Sequence, residues 1–150
     1  MAPERLAVVG TGLIGASVGL AAKRAGVARV VGWDADAESL ALAAERGAVD
    51  EPAESLVAAV RESELVIVAT PVATLKDDVA AVLAGGSEAT VTDVGSTKSG
   101  LCESVSDRRR FIGGHPVCGS EARGPGHASA ELFEGATWFL TPVAETEPER

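Results

Sequence analysis

The chain has 150 residues, the length of one ordinary domain, and its 46% of hydrophobic residues can build a real core and exclude wholesale disorder. With 22 acidic against 13 basic side chains the net charge is −9, opposite in sign to what a binder of nucleic acid or anionic membrane uses, and 3% aromatic residues with no tyrosine leave little surface for base stacking. The two cysteines, Cys102 and Cys118, lie far apart with no CxxC pattern, which suggests reduced thiols in a cytoplasmic protein.

Taken in chain order, residues 6–9 read as a buried strand that turns into a helix over 13–25 through Gly10-Thr11-Gly12-Leu13-Ile14-Gly15. Strand, GxGxxG and helix in that order suit a dinucleotide: Gly10 allows the tight turn, Gly12 lets the backbone approach a pyrophosphate, and Gly15 lets helix and strand pack closely. Leu13 and Ile14 open the helix, whose free N–H groups and partial positive charge face the phosphates. No residue from 6 to 22 is charged, but this stretch is shorter than the roughly 20 apolar residues of a membrane span and is diluted by glycines, Thr11 and Ser17. A span or a signal-peptide core is therefore not expected.

The helix is expected to stop near Gly26, and residues 28–33 form a second strand ending at Asp34, 24 positions beyond Gly10. That is close to the spacing of about 20 at which a carboxylate binds the ribose hydroxyls. Such a carboxylate repels a 2′-phosphate, and no arginine follows at 35–37 to hold one, so NAD is preferred to NADP. Asp34 could also cap the next helix, expected over 37–46 and stopped by Gly47. A short strand at 48–50 at most, a short helix at 55–61 and the clearest buried strand of the chain, 64–69, follow.

Thr70-Pro71-Val72 ends that strand at its carboxyl end, where open α/β sheets place their ligands. A helix over 74–83, a strand over 89–94, a helix from about 97 to 107 and a brief strand at 111–112 come next. A helical turn and a strand at 137–140 complete the pattern, and the last six residues read as a frayed tail. Strands and helices alternate almost throughout, which predicts a doubly wound, mostly parallel α/β sheet with helices on both faces and residues 1–150 as one nucleotide-binding domain.

Three further positions carry possible chemistry. His115, between Gly114 and Pro116, is expected on irregular extended backbone at the ligand edge, either as a general base near neutral pH or as a satisfied structural histidine. Ser96 sits where a strand opens into a helix, and its hydroxyl could cap that helix or donate to a substrate oxygen or the nicotinamide. Lys98 could approach a phosphate or be solvated, and the basic run Arg108-Arg109-Arg110 reads as a solvated helix end. His115 and Cys118 could chelate, but no second close pair joins them as a structural zinc site requires, so no metal is expected.

The glycine loop with Asp34, the Ala69-Thr70-Pro71-Val72 segment, the segment from Asp93 to Lys98 and above all the stretch Gly114-His115-Pro116-Val117-Cys118-Gly119-Ser120-Glu121 resemble the NAD-binding domain of prephenate/arogenate dehydrogenases. The resemblance implies a Rossmann-type domain in which His115 takes the proton of the substrate's ring hydroxyl as hydride passes to NAD, carbon dioxide leaves and the ring becomes aromatic. It implies that Ser96 contacts the same hydroxyl and the nicotinamide. Gly119, Ser120 and Glu121 would border the substrate, with the glutamate near the histidine; Val117, Cys118 and Arg123 depart from the family's usual motif. Family members continue into a helical second domain that dimerises and supplies basic groups for the substrate's carboxylates, whereas this sequence stops at Arg150. The 150-residue chain is thus expected to bind NAD and turn over prephenate or arogenate poorly. Two other functions share the glycine loop: a dehydrogenase acting on 3-hydroxyacids, and a non-catalytic NAD-binding module.

Overall fold

The computed structural model describes residues 1–118 and 120–150; the expected role of Gly119 lies outside the described residues. The strands are β1 (Arg5–Val9), β2 (Arg29–Trp33), β3 (Glu51–Pro52), β4 (Leu65–Val68), β5 (Thr90–Asp93), β6 (Phe111–Val117) and β7 (Thr137–Pro142). The α-helices are α1 (Leu13–Arg24), α2 (Ala37–Glu45), α3 (Leu56–Val60), α4 (Val72–Ala84) and α5 (Ser99–Ser104), with short 3-10 turns at Pro125–His127 and Ala130–Phe133.

All strands join one sheet in the order β3-β2-β1-β4-β5-β6-β7. The pairings are parallel up to β6, and β7 runs antiparallel to it. The strand order reverses between β1 and β4, and that switch point is where a doubly wound sheet opens a ligand crevice at the carboxyl ends of its strands. Alternate residues of the central strands serve opposite layers. Ala7, Val9, Val66 and Val68 pack with Leu75, Val79 and Leu101 of α4 and α5, while Leu6, Val8 and Ile67 pack with Val18 of α1. Near-continuous apolar strands follow from this two-sided burial. Both α1 and α2 stop in Schellman turns, Val27 N–H reaching Ala22 O at 3.0 Å and Ala48 N–H reaching Ala43 O at 2.9 Å.

Several local expectations change. The third strand is displaced from 48–50 to Glu51–Pro52, and α5 is a six-residue helix starting at Ser99 rather than at 97. The sixth strand is seven residues long and contains His115 and Pro116. Its ladder to β5 ends at Ile112, and the Gly114 N–H points away from β7 toward Asp93. Pro116, two residues on, has its missing donor on that same side, where no β5 ladder remains, so proline costs the sheet nothing there.

The basic run does not end a helix, since α5 stops at Ser104, and it is solvated only in part: Arg109 is exposed, whereas Arg110 is buried. Its guanidinium donates to Leu83 O (2.8 Å), to Ser87 O and to Asp107 Oδ2 (2.7 Å), satisfying carbonyls at and beyond the end of α4. The tail is docked rather than frayed: Thr146 Oγ1 donates to Phe111 O (2.9 Å), Glu147 N–H to Arg109 O (3.0 Å) and Arg150 Nη1 to Glu88 O (2.9 Å).

Candidate active site

The β1–α1 turn is shaped by two glycines that admit no side chain. A Cβ on Gly10 (φ +90°) would stand 2.7 Å from the Ala69 carbonyl carbon, and one on Gly15 would stand 1.8 Å from Gly10 O. Gly12 differs, since nothing lies within 4 Å of where its Cβ would be. It is the N-cap of α1, has no capping side chain, and no acidic residue occupies the first turn. The helix thus presents uncapped N–H groups, Leu13 and Ile14 among its first residues, to open space, which suits an anion.

Asp34 stands beside this turn at the end of β2. Its Oδ2 accepts the Thr11 N–H (2.6 Å) and hydroxyl (3.0 Å), and its Oδ1 accepts the Asp36 N–H (2.8 Å). A carboxylate accepts about four hydrogen bonds, so one position remains for a ribose hydroxyl. The cap of α2 is Asp36, which accepts from the Glu38 N–H, so Asp34 does not serve as that cap. Beside the same turn, Thr70 follows β4 with its Oγ1 buried and without a partner among the described residues; Pro71 is the N-cap of α4, and Val72 exposes an apolar side chain in its first turn.

His115 lies three residues into the final stretch of β6, on the sheet face where Phe111 meets α4 and α5, and is paired directly with the exposed Phe139 of β7. Its Nδ1 is buried without a partner among the described residues, Glu121 included. Ser96 is exposed in the bend between β5 and α5; Lys98, not Ser96, is the cap residue of α5. The Lys98 ammonium pairs with Asp93 instead of standing free for a phosphate. The sequence marks Asp93 only as the start of a segment that resembles the family and gives it no role; it is fully buried and accepts from Gly95 N–H (2.8 Å) and Gly114 N–H (3.1 Å). The Asp-x-Gly-Ser spacing was its only signal.

Ser120 and Glu121 are exposed, and Ser120 Oγ accepts the Ala122 N–H (3.1 Å). A cleft of about 350 Å3 brings Ser120 together with the start of α1, lined by Leu13, Ile14, Cys118, Ser120, Ala122 and Arg123 among others. Two more apolar hollows, of about 380 and 300 Å3, open on the opposite sheet face around Trp138 and Leu65 and hold none of the expected site residues. Burial pushes both thiols, Cys102 and Cys118, above their ordinary 9.0. Among the described residues no group of three or more His, Cys, Asp or Glu side chains could hold a metal, and no helix is long and apolar enough to cross a membrane.

The family described as "Prephenate dehydrogenase, nucleotide-binding domain" matches residues 18–150. The chain belongs to this family. It is 35% identical over 151 aligned positions to the prephenate dehydrogenase of Bacillus subtilis, an alignment covering 96% of this chain and 41% of the relative. Among solved structures it is similar to Aquifex aeolicus prephenate dehydrogenase in complex with hydroxyphenyl propionate and NAD+, with a TM-score of 0.88 and 30% identity over 97% of this chain and 53% of that one. It is also similar to Synechocystis arogenate dehydrogenase, with a TM-score of 0.85 and 32% identity over 97% of this chain and 52% of the other. The sheet is accordingly the Rossmann-type, mostly parallel sheet of the family's nucleotide-binding domain, and the chain spans about two fifths to half the length of these relatives.

Proposed function

We propose that this chain is the NAD-binding domain of a prephenate or arogenate dehydrogenase of tyrosine biosynthesis and carries its catalytic base. The residues present fit the dinucleotide: the uncapped start of α1, the open space at Gly12, the spare acceptor position of Asp34 and the unpartnered Thr70 hydroxyl are what a pyrophosphate, a ribose and a carboxamide need. NAD, when bound, accepts the hydride. Gly10 and Gly15 keep the turn tight, Asp34 would orient the ribose and repel a 2′-phosphate, and Thr70, Pro71 and Val72, at the carboxyl end of β4, would border the dinucleotide.

The imidazole of His115 takes the proton of the substrate's ring hydroxyl, and Ser96 donates a hydrogen bond to the same oxygen. As that carbon loses its hydride and becomes a ketone, the electrons of the ring–carboxylate bond move into the ring and onto the ketone oxygen; carbon dioxide leaves, and the phenolate takes back the proton held on the His115 imidazolium to give a phenol. Ser120 and Glu121, beside the cleft at the start of α1, and Gly119 border the substrate. The net charge of −9 disfavours nucleic acid and anionic membranes as partners, the free thiols suit a cytoplasmic setting, and a homodimer is assigned to the longer proteins of the family.

One observation carries this reading. His115 ends up at the carboxyl edge of the sheet whose β1–α1 turn forms the cradle, with a buried Nδ1 that no group among the described residues uses. Calorimetry on the 150-residue chain should show NAD binding and NADP binding at least about tenfold weaker. NADH formation from prephenate and from arogenate is then measured in whichever form turns over, this chain or a longer protein that carries it. His115→Asn should cut turnover by about 100-fold or more while leaving NAD affinity within about threefold, as loss of a general base does. Unchanged turnover in that variant would overturn the proposal.

A further inference from the structure

We infer that Asp93 is a positioning residue for this reaction: one carboxylate ties the strand that carries His115 to the loop that carries Ser96. The inference rests on the proposed roles of those two residues. Asp93 is the last residue of β5, and its side chain is fully buried. Its Oδ1 accepts the N–H of Gly114, the residue before His115, at 3.1 Å. Its Oδ2 accepts the N–H of Gly95, the residue before Ser96, at 2.8 Å, and also the Lys98 ammonium.

A charge in such a place is costly unless every lone pair finds a donor. Here the donors come from two backbone segments, 19 positions apart, that no ladder connects, because the β5–β6 pairing ends at Ile112. Only an acceptor-only group with two oxygens satisfies all three donors; asparagine would turn its NH2 toward either one glycine N–H or the other glycine and Lys98. Both glycines pack closely against Asp93. A Cβ on Gly114 would stand 2.4 Å from the backbone carbonyl oxygen of Asp93, and one on Gly95 would stand 2.5 Å from Leu75 Cδ2 and 3.1 Å from the carboxylate Oδ2 of Asp93. Lys98 runs along the same face, its Cδ 3.1 Å from where a Cβ of Gly113 would be, so its charge is used inside the link. Beyond Ile112 the link replaces the missing sheet hydrogen bonds, and a displacement on the order of 1 Å between a base and its substrate oxygen is enough to cost a hundredfold in rate.

The test is Asp93→Asn in the catalytically competent form. The expected result is a folded protein with NAD affinity and KM for NAD within threefold of the parent, kcat lowered ten- to a hundredfold, and a displaced pH–rate profile. Because Asp93 acts through His115, its effect should shrink in a His115→Asn background, so that the two losses do not multiply. Multiplying losses, an unchanged kcat, or a fall in NAD affinity that matches the fall in kcat would each overturn the inference. If Asp93→Asn fails to fold, hydrogen exchange of the Gly95 and Gly114 amides in the unaltered chain decides instead. Both should be protected, and a Gly95 amide that exchanges like an open loop would overturn the link. Full activity in His115→Asn would sink the proposed function and this inference together. A dead His115→Asn beside a folded, fully active Asp93→Asn would sink the inference alone.

Discussion

Gly12 and Gly15 stand three residues apart in one motif and answer to different forces. Gly15 is fixed by packing, with Gly10 O where a methyl group would go; Gly12 faces open space. Gly15→Ala should therefore destabilise the chain by about 3 kcal/mol or more through overpacking against backbone. Gly12→Ala, a change at a helix cap, should cost less than about 1 kcal/mol yet weaken NAD at least about tenfold, because its methyl group fills the space a pyrophosphate needs. Thermal unfolding and calorimetry on the two variants read stability and binding separately; equal losses in both would show that Gly12 is structural. The motif was legible at this scale because a glycine's two reasons, tight packing and ligand approach, recur at set spacings. What remained illegible was which neighbour each glycine meets, since Ala69 lies 59 positions from Gly10.

Elements are held where chain segments of different sequence neighbourhoods meet. The last turn of α4 is closed by Arg110, which reaches Leu83 O and Ser87 O from the start of β6 and is fixed in turn by Asp107. Replacing Arg110 by Met removes three hydrogen bonds and leaves two buried carbonyls unpaired, so urea unfolding should show a loss of about 3 kcal/mol. The Arg110 hydrogen bond holds the Asp107 carboxyl below its ordinary 3.8, against the opposing effect of partial burial. Lower in the folded state means that this stabilisation is complete above 3.8 and disappears as the pH falls through the depressed value. The stability gap between the parent and Asp107→Asn should thus be constant near neutrality and close in acid. A gap that widened below 3.8 would contradict the assignment. Three arginines in a row looked like solvent-facing charge because sequence does not reveal that unpaired carbonyls lie 23 and 27 positions away.

For the whole molecule, the coverage of the sheet is uneven. Helices α3, α4 and α5 blanket one face, whereas on the other the outer strands leave Trp138 and Leu140 around an open apolar hollow. The docked tail closes the rim of that hollow with Arg150 and ties β6 to the loop before β5. Removing residues 143–150 deletes the hydrogen bonds to Phe111 O, Arg109 O and Glu88 O. The truncated chain should lose about 2 kcal/mol, roughly what a few such bonds are worth, with unaltered NAD affinity. A drop in affinity would mean that the tail reaches the nucleotide crevice.

The amino-acid sequence by itself determined the alternation of strands and helices, the glycine turn, the acidic residue after the second strand and the presence of a histidine near the ligand edge. All of these follow from local rules: hydrophobic periodicity, backbone freedom at glycine, and carboxylate spacing within one strand–helix–strand unit. Only the tertiary structure decided that His115 belongs to a strand rather than a loop, that Asp93 joins it to the loop of Ser96, that Arg110 is buried, and that the tail is bound. Those outcomes depend on polar atoms brought together from distant positions, and a hydrogen bond between them leaves no period in the sequence.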